Sequence, residues 1–283
     1  MTIKKNKLSS LLAVLLLVVS SCPVSVQAVT NGFPDTTNTF GNVGTVFAVG
    51  TDGQAYQLCS GTLISPTVFL TVAHCAFYFK DFLAPEGFKL YMSFGNPIPI
   101  LGLTDVNTLI PVTEFITDPR YVQATDTHPF NPHHGNDPGD LAVIILPSLA
   151  TQGITPAALP TLGLLDELAA QNGLHGVLFT DVGYGSEDRF GNRSNPMPRM
   201  FAYSAFNALT PGFLQLSINP AHNNGGACFG DSGGPDFLPV NGKLILMAIS
   251  SVGGDHVCRA TSGNYRLDTA TARDFLKNFV ALP

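Results

Sequence analysis

The chain divides its apolar residues into short runs closed by Gly, Pro, Asn or Asp, and this punctuation limits what it can fold into. Residues 44–49, 61–64, 68–72, 141–146, 176–181 and 244–249 are such runs. Bounded by turn residues, they read as strands of an all-β barrel or sandwich. The body is rich in Gly (28) and Pro (21) and only 12% charged, which suits many turns. One helix stands out at the C-terminus. There Phe275, Leu276, Phe279 and Val280 recur at helical spacing after Asp268 and Thr269, with Arg273, Asp274, Lys277 and Asn278 on the other face. Residues 147–164 turn Pro- and Gly-rich and read as a connector between two β halves. The stretch 81–137 gives no clear assignment.

The first 28 residues behave as an export signal. Lys4, Lys5 and Lys7 form a positive start, residues 11–19 an apolar run too short to span a bilayer, and Val26 and Ala28 occupy the small-residue positions before a cut. No later run is long enough to cross a membrane. The expectation is a secreted or periplasmic protein in an oxidising compartment. Residues 19–22 also fit a lipoprotein signal, so a lipid anchor at Cys22 at the cell envelope is the alternative.

The formal net charge is −6, and loss of the signal removes three lysines and no acids, making the remainder more acidic. Such a balance argues against nucleic acid or an anionic membrane surface as partner. Without Cys22, four cysteines remain: Cys59, Cys75, Cys228 and Cys258. Three pairings are possible.

The most informative stretch is CFGDSGGP, residues 228–235. Its glycines allow a tight turn that exposes Ser232. A serine hydroxyl is a weak nucleophile near neutral pH and needs a base to take its proton and donors to hold the oxyanion. The N–H groups of Gly230 and Ser232 are candidates for those donors. LTVAHCAF (70–77) offers His74 as the base, and GDLAVIILP (139–147) offers Asp140 at the head of an apolar strand. An acid there accepts Nδ1–H from a histidine, fixes its tautomer and stabilises the imidazolium. Asp137, three residues earlier, is the rival acid.

Together these residues resemble the trypsin/chymotrypsin family of serine proteases, whose chain order is His, Asp, Ser. The resemblance covers nearly the whole chain after the signal. VTNG (29–32) resembles the family's mature N-terminus, CSGTLIS (59–65) the strand before the histidine loop, and VGYG (182–185) a strand opening the second barrel. ISSVGG (249–254) and SGNY (262–265) resemble segments beside the substrate cleft. The resemblance implies two antiparallel six-stranded β-barrels with a C-terminal α-helix. Residues 29–150 would form the first barrel and carry His74 and Asp140. Residues 151–283 would form the second, with Ser232 and the specificity pocket. It pairs Cys59 with Cys75 and Cys228 with Cys258. It also implies that the α-ammonium of Val29, freed when the signal is cut, turns inward to Asp231. The implied activity is endopeptidase hydrolysis of proteins or peptides through an acyl-enzyme, with no cofactor and no metal.

The pocket base falls on Gly226, where an acid would select Arg or Lys, and Gly253 and Gly263 fall on its walls. The expectation is a preference for large apolar residues before the scissile bond rather than trypsin-type cleavage, with Asp255 and His256 near enough to alter it. The chain departs from the family in Thr30, in Val252 where Trp is usual, in one extra residue before Cys258, and in about twenty added residues between His74 and Asp140. His128, His133, His134 and Asp137 read as a polar insertion loop rather than a metal site. Two other readings compete. A catalytically silent binding module on this scaffold would usually lack a triad residue, and a GDSL esterase would carry its serine near the N-terminus.

Overall fold

Strand signals punctuated by turns yield a protein made of two antiparallel sheets. The computed structural model describes residues 29–99, 108–121, 137–187, 197–253, 255 and 257–283. The signal segment with Cys22, His128, His133 and His134 of the insertion loop, and His256 lie outside the described residues.

A two-residue strand, β1 (Phe33–Pro34), precedes the first sheet. That sheet is built from β2 (Val43–Val49), β3 (Ala55–Ser65), β4 (Val68–Thr71), β5 (Lys89–Ser93), β6 (Ile110–Pro111), β7 (Phe115–Thr117) and β8 (Ala142–Ile145). Its order is β6-β5-β2-β3-β4-β8-β7. Among the described residues no pairing joins β6 to β7, so this sheet curls as a half-barrel rather than the closed ring expected. The stretch 81–137, illegible in sequence, supplies β5, β6 and β7, two of them only two or three residues long.

The second sheet holds β9 (Leu178–Gly183), β10 (Met200–Leu209), β11 (Phe213–Ser217), β12 (Pro235–Val240), β13 (Lys243–Gly253) and β14 (Thr261–Arg266). The order β9-β10-β11-β14-β13-β12 returns to β9, closing a six-stranded barrel without edges. The seventh member is β1, which crosses from the start of the chain to pair Phe33 with Phe201.

Among the described residues three short α-helices punctuate the sheets: α1 (Ala73–Tyr78), α2 (Leu164–Ala170) and α3 (Ala270–Leu276). Thr269 caps α3 by accepting a hydrogen bond from Ala272 N (3.1 Å). The helix is shorter than its apolar spacing predicted. After Leu276 the chain tightens, with Phe279 N donating to Leu276 O in an i−3 bond, and Phe279 still packs its ring 5.1 Å from that of Phe275.

One apolar core runs through both sheets, joining Val46, Phe69 and Leu141 of the first to Val182, Phe237 and Tyr265 of the second. A buried ion pair fastens the same junction. Arg199, fully buried, donates to Asp35 Oδ2 (2.9 Å), Val43 O (3.0 Å), Tyr184 Oη (3.0 Å) and Asn38 Oδ1. Removing one partner of such a pair strands the other charge out of water, a cost of about 3–5 kcal/mol.

Candidate active site

His74 and Asp140 meet because the end of β4 pairs with the start of β8. Thr71 pairs with Ala142, so the helix that follows β4 and the residues that precede β8 lie side by side. Asp140 is fully buried and caps the start of α1, accepting the backbone N–H of His74 at its Oδ1 (2.9 Å). That satisfies one of the amides a helix start leaves unpaired. Its Oδ2 faces His74 Nδ1 at 2.9 Å. The other carboxylate contact comes from the second barrel, where Ser251 Oγ donates to the same Oδ2 at 2.6 Å. This serine lies within the family-like segment 249–254, but nothing in the sequence singled it out from its neighbours.

Electrostatics follow the geometry. Burial acts against a charge on His74, yet the Asp140 carboxylate and its hydrogen bond outweigh it, and the His74 pKa stands above its ordinary value. Burial likewise opposes the charge of Asp140. The nearby His74 and the donated bonds from His74 and Ser251 prevail, holding Asp140 below the ordinary carboxylate range. The rival acid is engaged elsewhere: Asp137 accepts from Gly139 N (3.1 Å), Tyr265 Oη and Thr271 Oγ1.

Ser232 sits on the turn before β12, pressed against the first sheet. Ser60 N donates to Ser232 O (2.9 Å), and Gly233 N donates to Ser250 O (2.7 Å). Gly233 has φ +81°, and a Cβ there would overlap Thr71 Oγ1 and lie 2.5 Å from Ser60 O. Only glycine lets the serine turn come this close to β3 and β4. The carbonyl of Gly230 is held by Gln57 Nε2 (2.7 Å) and Ser60 Oγ (3.0 Å). Among the described residues no acceptor takes the N–H of Gly230 or Ser232, and no hydrogen bond joins Ser232 Oγ to His74.

Asp231 is buried and accepts from Gly185 N (2.7 Å) and Cys228 N (2.9 Å). Val29 is buried beside Met200 and Ala202, and Thr30 exchanges backbone bonds with Gly226 (2.9 and 3.0 Å). Disulfides join Cys59 to Cys75 and Cys228 to Cys258. Cys59 and Cys75 cluster with His74, but as a disulfide they offer no thiolate to a metal.

A bulge between Ser250 and Val252 sets the register so that Val252 opposes Gly263, while Gly253 opposes Ser262. Gly253 and Gly263 therefore do not face each other. Ser262, buried and bonded to Asn264 Nδ2 (3.1 Å), takes the place opposite Gly253.

A closed β-barrel and a facing half-barrel, with an acid-bound histidine and a glycine-flanked serine at their junction, match the chymotrypsin-type class of serine peptidases. The sequence matches the Trypsin family model over residues 30–273, and the chain belongs to that family. It is a serine endopeptidase. Among solved structures it is similar to HL collagenase, with a TM-score of 0.59 and 20% identity over 88% of this chain and 97% of that one. At that identity the likeness shows the fold alone. No curated protein matches the sequence.

Proposed function

We propose that the protein cleaves peptide bonds with Ser232 as nucleophile, His74 as general base and then acid, and Asp140 as the group that orients His74. The Nδ1–Oδ2 contact of 2.9 Å within a buried, three-donor carboxylate carries this reading. It leaves His74 Nε2 to take the serine proton. In this reading the unused N–H groups of Gly230 and Ser232 receive the oxyanion, a role worth about 2.7–4 kcal/mol per donor. The missing Ser232–His74 bond fits a free site, in which such contacts tighten only around substrate.

Gly226, Gly253 and Gly263 support an open pocket for a large apolar residue before the scissile bond. Export and removal of residues 1–28 complete the reading. The new ammonium of Val29, already buried and tied by Thr30 to the Gly226 loop, would pair with Asp231 and order the oxyanion turn. Proteins and peptides are the proposed substrates, and no helix among the described residues is long and apolar enough to cross a membrane.

The test is the intact mass of the exported protein before and after a fluorophosphonate, with Ser232→Ala as control. A chain starting at Val29 that gains one adduct only when Ser232 is present is the expected result. A chain that gains none favours the silent binding module.

A further inference from the structure

A short seam shuts the closed barrel. β9 meets β12 at two paired positions, Asp181 with Asp236 and Thr180 with Phe237. Cross-strand partners share one face of a sheet, so the carboxyl groups of the first pair lie together, and both residues are buried. Asp181 accepts from Ser204 Oγ at its Oδ1 (2.8 Å) and from the backbone N–H of Ala227. Among the described residues neither oxygen of Asp236 has a donor of its own, and the group within its hydrogen-bond reach is the Asp181 carboxyl.

Two ionised carboxylates can only accept, so a hydrogen bond between them requires a proton on one. Their burial requires the same, because like charges in contact in a dry site do not both ionise. Burial, first, and then the neighbouring Asp181 raise Asp236 well above its ordinary value. Burial pushes Asp181 up to about 7, against the bonds it shares with Asp236, Ser204 and Ala227. The other strand neighbours bring no charge: Ala202 of β10 lies opposite Asp181, and Ala248 of β13 opposite Asp236. The titratable groups on the adjoining segments are Asp231, which faces Gly183 and Gly185, and the terminus of Val29 once the signal is cut, since Val29 packs on Ala202.

Asp181 also lies under the loop that seats the start of the chain. A Cβ at Gly226 would sit 2.5 Å from Asp181 Oδ2, and Gly226 exchanges two backbone hydrogen bonds with Thr30. The loop then runs into the serine turn, where Cys228 N donates to Asp231 Oδ2 (2.9 Å). We propose that Asp181 and Asp236 share a buried proton as a pH-sensitive latch, closing the barrel seam and holding the Gly226 loop on which Thr30 docks, so that loss of the proton undocks the N-terminal segment. Unfolded aspartates titrate near 3.9, below the folded pair. The stabilisation from this proton is therefore complete in acid, below about pH 4, and is lost as pH rises through the folded values. On the reading of Val29 given above, rising pH frees His74 to act as a base while it loosens the dock, and the barrel core sets an alkaline limit on activity.

The experiment uses the exported protein carrying Ser232→Ala, which does not digest itself. At about pH 7 exposed carboxyl groups are ionised, so an infrared carbonyl stretch from a protonated carboxyl is expected, and Asp236→Asn should remove it. Hydrogen exchange, corrected for its intrinsic pH dependence, should show the Thr30 and Gly226 amides losing about tenfold or more of their protection from about pH 7 to 10. Amides of β2 and β3 should change little. Asp236→Asn puts an amide donor where the shared proton was and should keep the dock protected throughout. If that variant fails to fold, Asp181→Asn makes the comparison from the other strand, and the infrared band of the unaltered pair needs neither. Absence of the band overturns the proposal, as does protection that stays constant with pH. Protection that falls equally with and without Asp236 overturns it too, and points to the Val29 ammonium instead. Failure of Ser232 as nucleophile appears only in the labelling test above and leaves these outcomes unchanged.

Discussion

Ser251→Ala removes a single hydroxyl from the second barrel and reaches the chemistry of the first. Ser251 Oγ and His74 Nδ1 both donate to Asp140 Oδ2, at 2.6 and 2.9 Å, so they share one oxygen. Asp140 is fully buried, and no water takes the vacated position without space for it. A hydrogen bond to a charged group is worth about 1.5–3 kcal/mol, and taking 2 as central, the melting temperature should fall by ~4–8 °C for a chain of this size. The effect on His74 has the opposite flavour. With Ser251 gone, Oδ2 is more basic and holds the imidazolium more firmly, so the His74 pKa rises further. The acid limb of the pH–rate profile therefore moves to higher pH. The plateau rate should drop about tenfold or less, since both His74–Asp140 contacts survive, against about 10⁴-fold for Asp140→Asn. The assay is kcat/KM on one peptide across pH, with thermal unfolding measured on the Ser232→Ala background to prevent self-digestion. An acid limb that moves to lower pH, or an unchanged melting temperature, would refute the idea that the two donors compete for one oxygen.

Gly233→Ala should abolish activity and cost more than about 3 kcal/mol, because positive φ and overlap with Thr71 act together; calorimetry and peptide cleavage check it. One extra residue before Val29 should remove most activity and lower the melting temperature, because Val29 and Asp231 are both buried, and full activity would sink the Val29–Asp231 pairing. The His74–Asp140 pair makes stability and activity diverge with pH. His74 has a raised folded pKa, so its stabilisation is complete below the unfolded value of about 6.5 and is lost as pH climbs through the folded one. Asp140, with a lowered pKa, loses its contribution only in acid, as pH falls through its folded value. The melting-temperature gap between Ser232→Ala and Ser232→Ala/His74→Gln should accordingly shrink from about pH 6 upward, over the range where native activity grows.

Much of this was legible because local chemistry and fold agree. The apolar runs at 44–49, 61–64 and 68–72 became β2, β3 and β4, and the run at 141–146 became β8 immediately after Asp140. The serine turn announces itself through Gly230 and Gly233, each at positive φ. What stayed hidden depends on register and on distant partners. A bulge in β13 decides that Ser262, not Gly263, opposes Gly253, and no local pattern encodes that choice. Asp181 and Asp236 read as ordinary polar residues at strand positions until the closed barrel makes them neighbours. The first sheet's incomplete ring reflects strands too short to carry a periodic signal.

The way the first residues reach the second barrel has a consequence in time. Asn31 bonds to Asn224 across 193 positions, and Asp35 to Arg199 across 164. Contacts of such separation close late, because a long loop must be drawn shut before they return anything. During synthesis the leading segment emerges first and has no seat until the chain has grown past Gly226. A partly made or truncated molecule that ends before Gly226 lacks both the serine turn and the dock for Thr30. Peptide-cleaving competence is thus a property of the finished chain alone, and a fragment released early is harmless to the machinery that made it.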